Sequence, residues 1–229
     1  MPRGPRILVD GGTYHVLTRG NNGQPVFHGD ADFQRYLQLL ATYVKEHDLR
    51  LYHFALMPNH VHLVLEVSRG PMLSKAMSGL NLSYMFYYRK RYRYTGHLWQ
   101  GRFKSLLIDR DSYLLECGRY VELNPVRAGM TRTPGEYLWT SYRTYASGAD
   151  HSFLAVTQHP LYPTLGQTAI ERQARYRQFV VEGLQERLEE PAPGTPPLSR
   201  TLRGVSQRPR LRQHRDPFVR FAGETYVGR

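Results

Sequence analysis

The sequence predicts an α+β domain of ferredoxin-like type, a small antiparallel sheet in the order β-α-β-β-α-β with helices on one face. Three observations carry this: two strand patterns joined by a tight turn, two amphipathic helical patterns that each follow a strand, and a further strand closing the series. Residues 13–18 (TYHVLT) read as the first strand, ended by the turn Arg19-Gly20-Asn21-Asn22. Asp30 or Asp32 can cap a helix in which Phe33, Tyr36, Leu37, Leu40 and Val44 form one apolar stripe. Residues 51–57 (LYHFALM) and 60–67 (HVHLVLEV) are two strands around Pro58-Asn59, hence a hairpin. A second helix runs from about Leu73 to Arg91, with Ala76, Met77, Leu80, Tyr84 and Tyr87 or Tyr88 inward. Residues 103–108 (FKSLLI) form another strand, and Asp111 can cap a third helix through Val121.

This domain is expected to occupy residues 1–150. A helical extension over 151–190 follows, with Ile170, Phe179, Val180, Leu184 and Leu188 as an apolar stripe in need of a partner. Residues 191–229 open with PAPGTPP, hold 6 of the 15 prolines and carry +6 of the chain's formal +12, which predicts a disordered basic tail.

A net charge of +12 and a pI near 9.9 call for a polyanionic partner, nucleic acid before an anionic membrane surface. No apolar run approaches the ~20 residues that span a bilayer, and MPRGPRILVDGG contains no apolar leader core. Cys117 is the only cysteine, which excludes an intrachain disulfide and a cysteine-based zinc site. These features predict a soluble cytoplasmic protein.

The most informative stretch is LMPNHVHLVLEV. Strict alternation sends His60, His62, Val64 and Glu66 to one side of a strand, so both imidazoles leave the same face, close enough to share a metal ion. Alone, such a pair is more often polar surface than a ligand set. A basic, aromatic segment follows it. Six aromatics lie between Tyr84 and Tyr94, and six basic residues without an acid between Arg89 and Lys104. Arg89, Lys90, Arg91, Arg93, Arg102 and Lys104, with Trp99 among them, form the candidate nucleic-acid contact set. Cations neutralise phosphates and flat rings stack on unpaired bases, which favours single-stranded or hairpin nucleic acid over plain duplex. About half of these aromatics are expected to belong to the buried face of the helix.

On a helix starting near Asp111, Tyr113, Cys117, Tyr120 and Asn124 share a face. The Asn124 amide oxygen could join the two imidazoles on a metal. Such nitrogen and oxygen donors suit Mg²⁺ or Mn²⁺ with positions open for phosphate. Pro125 disfavours helical geometry at Asn124, so Asn124 is expected at or just past the helix end. Spacing alone favours a core tyrosine at 120 and a helix-terminating residue at 124, since the chain holds 17 tyrosines.

The motifs LMPNHVHLVLE, GHLWQGRFKSLLI and RYVELNPVRAGM, in this order and spacing, resemble those of the HUH-type single-tyrosine transposases, in particular the group associated with repetitive extragenic palindromes. TYHVLTRGNN and WTSYRTY extend the resemblance over roughly residues 5–148. It implies His60 and His62 as metal ligands, Asn124 as the third ligand, Tyr120 as the nucleophile and a divalent metal, Mg²⁺ or Mn²⁺, as cofactor. It further implies cleavage and rejoining of single-stranded hairpin DNA through a 5′-phosphotyrosine, in the cytoplasm at the bacterial nucleoid. No GxxxxGK[ST] loop is present, in keeping with an exchange of esters that needs no ATP. Glu116, one turn before Tyr120, leaves a single tyrosine per site. Glu122 could serve as a base or be solvated surface. Two other readings remain at this point: a hairpin-binding regulator without catalysis, and an RNA-binding ferredoxin-like module, which leaves the histidine pair unexplained. Monomer and homodimer are equally compatible with the sequence.

Overall fold

Period-two alternation in the hairpin sets the sheet. In a computed structural model, which describes residues 8–108, 111–149 and 151–185 (side chains of 111, 112 and 185 excepted), four strands pair antiparallel. They are β1 (Thr13–Arg19), β2 (Leu49–Met57), β3 (His60–Val67) and β4 (Lys104–Ile108), in the order β2-β3-β1-β4. Helices α1 (Asp30–Glu46) and α2 (Gly70–Tyr92) cover one face. There Tyr14, Val16, Val61, Leu63 and Leu65 pack on Phe33, Tyr36, Leu40, Met77, Leu80 and Tyr84. This is the predicted ferredoxin-like arrangement.

The start of α1 differs in detail from the sequence reading. Gly29 takes the cap position without a side-chain bond. Asp32, third in the helix and fully buried, reaches back to the His28 N–H at 2.8 Å. It also accepts the Tyr87 and Tyr92 hydroxyls at 2.8 and 2.7 Å. One carboxylate thus ties the N-terminus of α1 to the C-terminal turns of α2.

Helix α3 (Asp111–Glu122) lies on the opposite face, where Leu114, Cys117 and Val121 pack on Tyr52, Ala55, Val64 and Ile108. Gly118 permits the close approach: a Cβ there would lie 2.5 Å from Nε2 of His53. Strand register decides what this face presents. Arg19 pairs with His60 and Leu17 with His62 across β1 and β3, while Lys104 of β4 pairs with Leu17. Directly opposed residues point the same way, so His15, Arg19, His60, His62 and Lys104 all face the α3 side.

Beyond α3 the chain makes one more helical turn, α4 (Asn124–Arg127). Pro125 is its second residue, a position where a missing N–H breaks no intrahelical bond. Helices α5 (Tyr142–Ser147) and α6 (Ala169–Gln185) bring Tyr142, Tyr145, Tyr162, Tyr176 and Val180 together with Leu123 in a separate apolar cluster. Val180 is buried as the stripe predicts, whereas Ile170 is 77% exposed. Leu188 and the tail at 191–229 lie outside the described residues. No helix among the described residues is long and apolar enough to cross a membrane.

Candidate active site

His60 and His62 stand side by side on β3, with ring centroids 4.9 Å apart. The turn before them fixes one tautomer. The Asn59 amide nitrogen donates to the Gly23 carbonyl at 3.1 Å, so its oxygen faces His60 Nδ1 at 2.6 Å. An amide oxygen only accepts, hence Nδ1 carries the hydrogen and Nε2 keeps its lone pair. His62 Nδ1 in turn lies 2.9 Å from Nε2 of His15 on β1. Burial lowers the pKa of His15 to about 4, and burial followed by the Arg19 cation does the same at His60. His62 is held well below the ordinary value by burial, then by His60 and His15. All three imidazoles are therefore neutral at physiological pH, the state in which a ring nitrogen can hold a metal.

From the other side, α3 delivers Tyr120. Its half-buried ring stands edge-on to His62 at 5.9 Å and to His15 at 6.0 Å. The Arg127 guanidinium, two helical turns further on, lies 5.3 Å from the centre of that ring. Asn124 sits between them. Its amide nitrogen donates to the carbonyls of Tyr120 and Val121 at 2.9 and 3.2 Å, which caps the end of α3 and leaves Oδ1 as the atom outside the cap. Among the described residues no three His, Cys, Asp or Glu side chains cluster as a metal site. The donors present, two neutral imidazoles and an amide oxygen on the adjoining helix, fit a hard divalent cation whose other positions are taken by water or phosphate oxygen.

Glu122 is neither solvated nor available as a base for Tyr120. It is fully buried and accepts from Ser141 Oγ at 2.6 Å, Tyr176 Oη at 2.7 Å and the His53 ring at 2.9 Å. Its role is to brace the end of α3.

The basic, aromatic segment divides in two. Tyr84 and Tyr88 are buried, Tyr87 and Tyr92 are bonded to Asp32, and Tyr94 bonds Gln24. Trp99 is half-buried: its indole N–H donates to the Asn81 carbonyl at 2.9 Å and its ring packs near Tyr36 and Tyr84. Phe86, by contrast, is 58% exposed. Arg89 is bonded to the Gly96 carbonyl and Arg91 pairs with Asp32 at 3.4 Å. Lys90, Arg93, Arg102 and Lys104 are exposed, and Lys104 shares the sheet face of the histidines.

Sequence reasoning passed over His15, Arg19, Asn59 and Arg127. A signal existed for His15 and Arg19, which have the same parity in strand TYHVLTR, and for Arg127, which is seven residues, two helical turns, after Tyr120.

A protein-family model described as "Transposase IS200 like" matches residues 9–124 of the chain. Among solved structures, one described as a REP-associated tyrosine transposase bound to a REP hairpin superposes with a TM-score of 0.53 at 17% identity. That alignment covers 70% of this chain and 96% of the other, and shows a shared fold. A candidate transposase from Deinococcus radiodurans R1 aligns at 21% identity over 53% of this chain and 95% of its own, with a TM-score of 0.35. No curated protein matches the chain.

Proposed function

The chain belongs to the IS200-like transposase family, and on that premise we propose that it cleaves and rejoins single strands of hairpin-forming DNA through a 5′-phosphotyrosine intermediate. The observation that carries this reading is the convergence of Tyr120 with His62, its ring edge-on to the imidazole at 5.9 Å although the two residues come from different layers of the fold.

In this reading His60 and His62, with the Asn124 amide oxygen, hold Mg²⁺ or Mn²⁺. A cation held there would supply Lewis-acid polarisation of the scissile phosphate and offset charge in the transition state. Tyr120 supplies the attacking oxygen and gives up its phenolic proton. The new bond joins that oxygen to phosphorus, the bond to the 3′ oxygen breaks, and a 3′-hydroxyl leaves with a proton. A phenol has a pKa near 10 and needs help to ionise. The Arg127 guanidinium, 5.3 Å from the centre of the Tyr120 ring, can meet a phosphate oxygen. Arg19 and Lys104, on the sheet face of the histidines, orient the DNA backbone by charge. The ester is reversible, so a 3′-hydroxyl of a second strand can displace Tyr120 with no nucleotide cofactor. Single-stranded DNA in the cytoplasm, at the nucleoid, is the substrate this chemistry implies.

Incubation with single-stranded hairpin DNA and Mn²⁺, followed by denaturing electrophoresis, tests the proposal. A protein–DNA adduct that survives denaturation and is lost without metal is expected. Tight hairpin binding with no adduct under any metal would replace it with a non-catalytic regulator.

A further inference from the structure

We propose that His15 is a positioning residue that holds His62 in the tautomer able to bind metal, an inference that rests on the reading of His62 as a ligand. The β1–β3 register places His15 one step beyond His62 on the same face, and the rings meet at 2.9 Å between His15 Nε2 and His62 Nδ1. Both residues are 3% exposed, and their ring planes make an angle of 23° with centroids 5.1 Å apart.

Two neutral imidazoles that meet nitrogen to nitrogen share a single hydrogen across the contact. If His15 donates it, the His62 hydrogen must sit on Nε2, and the nitrogen facing outward has no lone pair. If His62 donates it, Nε2 is bare and ready for a cation. Only the second arrangement makes a ligand of His62, and it requires His15 to present an unprotonated Nε2 as acceptor. Asn59 performs the same service for His60, with its direction already fixed by the bond to the Gly23 carbonyl. Each histidine of the pair thus has its own acceptor, one from the turn before β3 and one from the neighbouring strand. Ligand histidines commonly have such an acceptor behind them, and its loss typically weakens metal affinity 10–100-fold.

The test uses the full-length protein. In metal-free, ¹⁵N-labelled protein, long-range ¹H–¹⁵N spectra read the tautomer of His62 directly, and Mn²⁺ binding without DNA is followed by electron paramagnetic resonance. The native protein should show His62 protonated at Nδ1. His15→Phe, which keeps a planar ring but offers no acceptor, should weaken Mn²⁺ binding by about 10–100-fold. His15→Gln, whose amide oxygen can accept from Nδ1, should recover most of the loss, which a purely space-filling role would not predict. A native His62 protonated at Nε2 overturns the proposal even if His15→Phe proves unstable. So does a folded His15→Phe that binds Mn²⁺ as tightly as native protein. Native Mn²⁺ binding that survives His62→Ala would instead show that the ligand reading has failed. The tautomer spectrum would then still decide whether His15 is the acceptor.

Discussion

Tyr176 of α6 donates a hydrogen bond at 2.7 Å to Glu122, a buried carboxylate two residues past Tyr120. Beside it, Arg119 of α3 lies over the Phe179 ring at 4.5 Å and donates to the Phe179 carbonyl. Helix α3 is therefore held by the sheet on one side and by α6 on the other. Tyr176→Phe removes one of three donors from a carboxylate that cannot reach water, and should cost about 1–3 kcal/mol. The urea midpoint should fall with an unchanged slope. A midpoint equal to that of native protein would show that the bond contributes nothing to holding α3.

Tyr120→Phe should reduce cleavage and adduct to background while hairpin affinity stays within about twofold, because only the attacking oxygen is removed. Gel-shift titration beside the adduct assay separates the two effects. An adduct of native strength would disqualify Tyr120. Tyr113, 44% exposed on the same helix, would be examined next.

His60→Ala and His62→Ala should each abolish Mn²⁺-dependent cleavage. Asn124→Ala should impair it less, even though it also strips the cap from the Tyr120 and Val121 carbonyls, a loss of roughly 1 kcal/mol in helix stability. Normal turnover by both histidine variants in Mn²⁺ would return the pair to polar surface.

The structure redistributes the expected DNA-binding cations. Arg89 is bonded to the Gly96 carbonyl and Arg91 pairs with Asp32, so neutralising the exposed Lys90, Arg93 or Arg102 should weaken binding more than neutralising those two. Each phosphate left without its cation should lower the log–log salt slope by ~0.7–0.9. A slope that does not move in the threefold variant would place the DNA path elsewhere on the protein.

Acid should destabilise the metal-free protein through its buried histidines. Burial lowers His15 and His60 to about 4, with Arg19 adding at His60, and lowers His159 to about 3, with His53 adding there. Between the ordinary value of 6.5 and these values the unfolded chain binds protons that the native protein does not. Stability must therefore fall as pH drops through that window, and these groups contribute no further loss below it. Thermal midpoints measured from pH 7 to 4 should decline, and His159→Leu should flatten the slope relative to its own value at pH 7. A flat native profile would mean that these rings are not held neutral.

Much of the scaffold was legible because it obeys simple periods. Alternation in TYHVLT and HVHLVLEV located β1 and β3, and the stripe Phe33, Tyr36, Leu37, Leu40 located α1. The shared face of His60 and His62 followed from the same alternation. Other parts depend on pairing between distant segments. His15 precedes His62 by 47 residues, and nothing local announces that the strand register will bring their rings together. Asn59 was visible as a turn residue, but its bond to Gly23 across the fold was not. Glu122 could be read from the sequence as a base or as solvated surface, because its three donors come from β2, the turn before α5, and α6. In the aromatic segment, composition counts rings but cannot tell which hydroxyls will bond the buried Asp32.

Gly118 acts on the site as a shim of zero thickness. Its missing side chain lets α3 settle onto the His53 ring, and that seating sets how far the Tyr120 ring projects toward the imidazoles two residues on. An added methyl at 118 would have no room against His53 Nε2, so the helix would have to lift, tilting its C-terminal end like a lever about the α6 brace. The distance from the Tyr120 ring to the His15 and His62 rings is thus governed from beneath the helix, where Gly118 meets His53.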